Sequence, residues 1–555
     1  IVGTGATGTG SNAMTLNSTD IYATGGKITL DGGSQEIYLG ENVNAGGNYI
    51  GGPASGSNSG DVRFKADKIT FGTLANSAAF QYASKLYLVS NATSFSSAST
   101  FGSGMSVTSI GYMQVGATTN TADITLNGTN SVAGNIDVYG GAVAIGGNQT
   151  ATNSGNITVS ATGAYSGAGA LNAAGNVTVN AASVTGTGNF TSAGSGGIAV
   201  TASSGSATLG GNFAANTSAT APIVVRASGG ITVSASKTLT TNGGGAVLWA
   251  RYLATEGSTT AGAILMNNSS GITTNGGRIV LAGTTQVDGN GIPTGHAYTT
   301  AAAGGVQLGT TDIATDTNVS LSSSGGPITI YGQQAGTANN AWGVQIRGGG
   351  TVNSGSGTIT IDGKADTTVG NAVEFDNSTS NGVKILSAAT SGTAISINGA
   401  ATGTTAANNG ERALYTGGAG LTINASGGGD ISITGTQGVT NTTNPGAFYF
   451  GGSSDILAST GNISINGGTR GVSWSGTINL GALSAGTATG NVTVTGDQLT
   501  GTPTVAVKTT GAVVFESSST AFGSTFSTTS LSLSGPPSSL RIGKSTNTSG
   551  VTISG

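Results

Sequence analysis

A single theme recurs through the chain: a glycine, a small polar residue, and then a strand in which β-branched residues alternate with Thr, Ser or Asp. It reads Gly134-Asn135-Ile136-Asp137-Val138, Gly155-Asn156-Ile157-Thr158-Val159 and Gly175-Asn176-Val177-Thr178-Val179. It returns as Gly357-Thr358-Ile359-Thr360-Ile361, Gly429-Asp430-Ile431-Ser432-Ile433, Gly461-Asn462-Ile463-Ser464-Ile465 and Gly490-Asn491-Val492-Thr493-Val494. Apolar residues two apart put one face of each strand in a core and the other in water. Ile, Val and Thr suit such a half-buried pleated surface. The copies lie 21 residues apart from Gly134 to Gly155 and from Gly490 to Gly511, and 32 apart from Gly429 to Gly461. A period of this size marks a repeat that buries its core only by stacking on its neighbours, with longer intervals carrying inserted loops.

Other repeat architectures lack their marks here. No leucine ladder or helical repeat is present, and Trp249, Trp342 and Trp474 show no propeller rhythm. The expectation is an all-β chain, a parallel β-helix (β-solenoid) rod with inserted loops. At ~21 residues per rung and ~4.8 Å between rungs, residues 1–555 would make roughly 26 rungs and a rod on the order of 125 Å. Gly and Asn at the corners tolerate left-handed backbone. One stretch, Asn76 to Val89, could line a helix with Ala78, Ala79, Ala83 and Leu86, but Lys85-Leu86-Tyr87-Leu88-Val89 alternates as a strand. Alternation from Lys27-Ile28-Thr29-Leu30 to Val551-Thr552-Ile553 argues for one continuous segment, and the 8 prolines are few enough for laddered strands.

Composition narrows the chemistry. Charged residues make up 7% of the chain and the net charge is −4, which leaves no basic footprint for nucleic acid. There is no cysteine, so disulfides and thiolate metal sites are excluded, and stability must come from backbone ladders and apolar rows. No apolar run is long enough to span a bilayer as a helix. Ile1-Val2-Gly3-Thr4 lacks the pattern of a signal peptide, and Val551-Thr552-Ile553-Ser554-Gly555 stops within a strand pattern, as expected of a fragment of a longer secreted protein.

The repeat resembles the filamentous haemagglutinin-like exoproteins of two-partner secretion, giant bacterial β-strand-repeat surface proteins. Two passages sharpen the resemblance: Ile272-Thr273-Thr274-Asn275-Gly276-Gly277-Arg278-Ile279-Val280-Leu281-Ala282-Gly283, and Leu540-Arg541-Ile542-Gly543-Lys544-Ser545-Thr546-Asn547-Thr548. It implies a right-handed parallel β-helix, export through an outer-membrane transporter, and an extracellular, cell-surface role in adhesion, cohesion, biofilm or filament formation. The amino-terminal Asn-Pro-Asn motif of that family is not found; Asn444-Pro445-Gly446 lacks the second Asn. No functional residue carries over, and no catalytic, cofactor or metal residue is assigned.

The alternative is a polysaccharide-acting β-helix enzyme or a tailspike-like glycan-binding protein. Glycoside cleavage needs two carboxylates held about 5 to 10 Å apart. The densest acidic region is Asp362, Asp366, Glu374 and Asp376, with Lys364 nearby; these read as solvated edge charges, with calcium as the functional reading. The single histidine, His296, sits in Asp288-Gly289-Asn290-Gly291-Ile292-Pro293-Thr294-Gly295-His296-Ala297-Tyr298, a turn-rich segment that reads as a surface insertion without a neighbouring acid. Asn-x-Ser/Thr sequons occur at Asn17, Asn91, Asn127, Asn148, Asn156, Asn176, Asn189, Asn462 and Asn491, as chance provides in such a composition. Phe448-Tyr449-Phe450 and Trp474 read as core or as cover for an insertion. The scattered Thr pairs form no regular ice-binding array. Expected partners are other copies of the chain, through uncapped rung edges, and surface glycans; no cofactor is expected, and the chain is not expected to be an enzyme.

Overall fold

A computed structural model describes residues 12–40, 48–52, 60–74, 78–216, 222–301, 303–310, 317–335, 341–366, 370–377, 381–402, 412–418, 420–438, 446–482, 488–501 and 504–553. Ile1–Thr4, Asn76, Asn444, Pro445, Ser554 and Gly555, which figured in the sequence reading, lie outside these residues. The chain forms two compact units, one of residues 1–227 and 239–242, the other of residues 228–238 and 243–555.

Each unit is a parallel β-helix. In the first, one rung consists of the strands Ile157–Ala161, Ala164–Gly167 and Leu171–Ala173, and the next of Val177–Ala181, Ser183–Gly186 and Phe190–Ser192. Each strand pairs in parallel with its equivalent one rung on: Ile157 with Val177, Tyr165 with Val184, Leu171 with Phe190. Two inward columns result, Ile136–Ile157–Val177–Ile198–Ile223 and Val138–Val159–Val179–Val200–Val225, all essentially inaccessible. On another side Phe190 and Phe213 stack with centroids 4.6 Å apart. Burying a Val or Ile contributes about 1.5–3 kcal/mol, so a rung with several is held chiefly by its neighbours.

The second unit stacks the same motif in a longer column, Ile279–Ile328–Ile359–Ile395–Ile431–Ile463–Val492–Val513. Phe448, Phe450 and Trp474 are buried, with Phe450 paired to Trp474, while Tyr449 faces outward and stacks on Tyr415 at 5.5 Å. Residues 78–89 form the strands Ala78–Ala83 and Lys85–Val89, as the alternation indicates. Among the described residues the only helical turn is Gly468–Arg470.

Two features of the motif have a physical cause. The corner glycine is required by close approach: a Cβ on Gly155 would collide with the carbonyl oxygen of Gly134 one rung below. The asparagine that follows staples rungs together. Asn135 Oδ1 accepts from the backbone N–H of Asn156 (2.9 Å), Asn156 Oδ1 from Asn176 (2.7 Å), and Asn176 Oδ1 from Gly197 (2.8 Å). Asp430, Asn462 and Asn491 repeat the staple in the second unit. Asn148 and Asn189 act likewise on Ala170 and Asn212. Six of the sequon asparagines thus have a structural task.

Candidate functional site

The strongest concentration of chemistry lies on the outer face of the second unit, where one strand leaves the regular coil. Ile279–Val287 pairs with Ala246–Ala250 on one side and Ile328–Gln334 on the other, then runs on into a hairpin. The return strand Pro293–Gly295 is antiparallel, with Gly283 opposite Gly295 and Val287 opposite Pro293. Asp288 shapes the tip: its carboxylate accepts from the backbone N–H groups of Asn290 (2.8 Å) and Ile292 (2.9 Å), and those bonds hold it below the usual carboxylate range. The chain then rejoins the parallel sheet as Ala297–Thr299 beside Gly332–Gln334.

His296 stands at that junction and is 6% exposed. This corrects the sequence reading of the whole 288–298 segment as surface insertion. The tip from Asp288 to Gly291 is exposed, but the histidine is folded under it and has acidic neighbours from distant rungs. Its ring nitrogens donate to Glu256 Oε1 (Nδ1, 2.8 Å) and Asp362 Oδ1 (Nε2, 3.1 Å), and its backbone N–H donates to Glu256 Oε2 (3.1 Å). Lys364 Nζ lies 3.2 Å from Glu256 Oε1. The Tyr331 ring lies 5.6 Å from the imidazole.

Electrostatics favour the charged forms. Burial pushes His296 toward neutrality, but hydrogen bonds to Asp362 and Glu256 outweigh it and raise the imidazole above its ordinary value. Burial would raise Glu256, yet the bonds from the His296 ring and backbone, with the Lys364 charge, bring it down to about 2.

Arg251 braces the cluster from within. Its side chain is fully buried and donates to the carbonyls of His296 (3.3 Å), Thr255 (3.4 Å) and Ser258 (2.8 Å), with the guanidinium 4.6 Å over the Tyr298 ring. Burial lowers its pKa, partly offset by the Glu256 charge. Arg251 (φ 53°) and Thr284 (φ 65°) both hold left-handed backbone, and Trp249 Nε1 donates to the Thr284 carbonyl (2.6 Å). Such strain persists only where surrounding contacts over-determine it. Trp249, Ile292 and Tyr331 pack on Val247, Val280 and Ala282, a small apolar cluster on the outer face beneath the hairpin.

The four acids singled out in the sequence do not converge. Asp362 binds His296, Asp366 accepts from Gln333 and Thr402, and Asp376 pairs with Arg347 at 3.1 Å. Glu374 is buried between Gln345 Nε2 (3.0 Å) and Asn371 Nδ2 (2.6 Å), and desolvation pushes its carboxyl up to about 7 despite those bonds. Among the described residues no group of three His, Cys, Asp or Glu side chains could hold a metal ion. Glu256 and Arg251 escaped sequence reasoning because each sits in a loop with no motif. Tyr331 and Asp362 occupy the same position in successive Ile-Thr-Ile-x-Gly copies, and that signal could have placed them side by side.

Fold and site together define a parallel β-solenoid with a braced, ion-paired hairpin on one outer face. No family model, curated protein or solved structure matches the chain.

Proposed function

We propose that the chain is a structural and adhesive element of a bacterial cell surface, outside the cell, and not an enzyme. The observation that carries this reading is the disposition of its polar groups. Outward positions of the first unit's rungs are Thr158, Ser160, Thr178, Asn180 and Thr201, while Lys85 and Arg226 bracket a stretch whose only charges are Asp123 and Asp137. Charge gathers in both units and is drawn into pairing: in the first, Glu36 and Lys68 stand opposite one another and bridge at 3.1 Å, and in the second His296 has both ring nitrogens bound and Glu256 serves two cations. A general acid or base needs a proton-accessible atom within reach of substrate, and a buried imidazole saturated by two carboxylates offers none. Stacked rungs supply a stiff scaffold, and hydroxyl-rich faces present weak, additive contacts to surface glycans or to further copies of the chain. Export through an outer-membrane transporter belongs to the same proposal.

Attachment of beads coated with the purified protein to bacterial cells tests the reading. Retention above a protein-free control is expected, and no retention on any cell surface would overturn it. The enzymatic alternative draws on the Glu256–His296–Asp362 cluster alone. It predicts depolymerisation of a polysaccharide that disappears in His296→Ala, and the proposal predicts no cleavage by either protein.

A further inference from the structure

Beside the braced hairpin is a half-open groove of about 180 Å³ that the ion-paired cluster does not fill. Its floor is the outer face of two adjacent strands, with Val280 on one and Thr329 on the next; Pro327 and Arg278 stand at one end and Tyr331 at the other. The hairpin tip roofs it with Asp288, Ile292 and Pro293. From Arg278 to Tyr331 the groove follows about four residues of strand, or ~13 Å.

We propose that this groove is a carbohydrate-binding subsite for one or two residues of a neutral glycan; the inference rests on the adhesive reading above and names its ligand. Three properties select this class. Tyr331, Ile292 and the exposed Pro327 offer apolar surface for the C–H face of a pyranose, and Arg278, Asp288 and Thr329 place donors and acceptors at its rim for vicinal hydroxyls. The floor strands are hydrogen-bonded on both sides, so an extended peptide finds no free edge to augment. Arg278 and Asp288 lie close enough to interact and balance in charge, so nothing favours an anionic ligand. The groove is also held open in advance: the Glu256–His296–Asp362 bridges fix the base of the hairpin, and the Asp288 turn fixes its tip, which lowers the ordering cost of binding.

The test is binding of the full chain to an array of defined neutral and acidic oligosaccharides, repeated with Arg278→Ala and with Thr329→Trp, which fills the floor. Lys384→Ala, exposed on the strand Val383–Ser387 and outside the groove lining, serves as the control. Binding to neutral glycans is expected, falling at least tenfold in both groove variants with unchanged melting temperature and circular dichroism, and unaltered in the control. Glycan binding that survives both groove variants overturns the groove as the site. Absence of binding to every glycan, or binding confined to acidic ones, overturns the ligand class. In each of those cases retention of coated beads by cells still reports separately on the adhesive reading.

Discussion

At the scale of single residues, the ion-paired cluster makes stability depend on pH in two directions. His296 has a folded-state pKa above its ordinary 6.5, so its contribution is complete below that pH and fades as pH rises through the raised value. Glu256, held at about 2 against an ordinary 4.5, contributes fully above 4.5 and loses that contribution as pH falls toward 2. The hairpin should therefore be most firmly held between pH 4.5 and 6.5. His296→Ala should cost about 2 kcal/mol there, less than for a fully buried pair because Asp362 and Lys364 touch water. Thermal melts of wild type and variant across pH 4–9 check this: the gap between them should narrow on the alkaline side, and a constant gap would refute it. Glu374 behaves oppositely. Its pKa is raised from 4.5 to about 7, so its burial costs stability as pH climbs through that interval. Glu374→Gln keeps one oxygen as an acceptor and removes the charge; it should raise the melting temperature at pH 8 and leave it nearly unchanged at pH 4.

At the scale of the strand and turn, the asparagine staple and the glycine ladder separate two kinds of constraint. The staple needs only an acceptor oxygen at the right place, and Asp430 supplies it as well as an asparagine does. Asn156→Asp should accordingly be tolerated, while Asn156→Ala should cost about 1 kcal/mol by orphaning the Asn176 N–H. Chemical denaturation of the two variants distinguishes the cases. The glycine ladder is a matter of space. Gly332, Gly363, Gly399 and Gly435 stand in register on successive rungs, where the first strand of each rung crosses close to the second. A Cβ on Gly363 would meet the Ala372 carbonyl, backbone that cannot step aside. Gly363→Ala should thus destabilise the second unit by more than the ~1 kcal/mol that any lost acceptor costs, roughly as an overpacked core does.

At the scale of the whole molecule, each unit is quasi-one-dimensional, since a rung touches chiefly the rungs before and after it. Stability then sums over rungs and interfaces, and damage stays local. Ile397→Ala should cost about 2–5 kcal/mol and speed hydrogen exchange mainly in the strands Ile359–Ala365 and Asp430–Gln437 beside it. Exchange rising evenly through residues 243–555 would indicate a single cooperative block instead. The legible part of this organisation was the local part. Alternating Ile-Thr-Ile segments announce strands with one wet face, and the recurring spacing of 21 residues announces stacking, because each follows from neighbours in the chain. The reading of Lys85–Val89 as strand succeeded for that reason. The reading of His296 as part of a surface insertion failed because its partners, Glu256 and Asp362, lie 40 and 66 residues away in sequence. Which rung lies beside which, and where a hairpin re-enters the sheet, depends on loop lengths that vary from copy to copy. A shift of one residue in that re-entry would turn His296 to the opposite face. Sequence alone therefore determined the coil and the kind of side chain on each face. Only the tertiary register decided that one histidine, two carboxylates and a lysine would close into a brace, because long-range pairing is set by the summed packing of whole rungs and leaves no mark on any single segment.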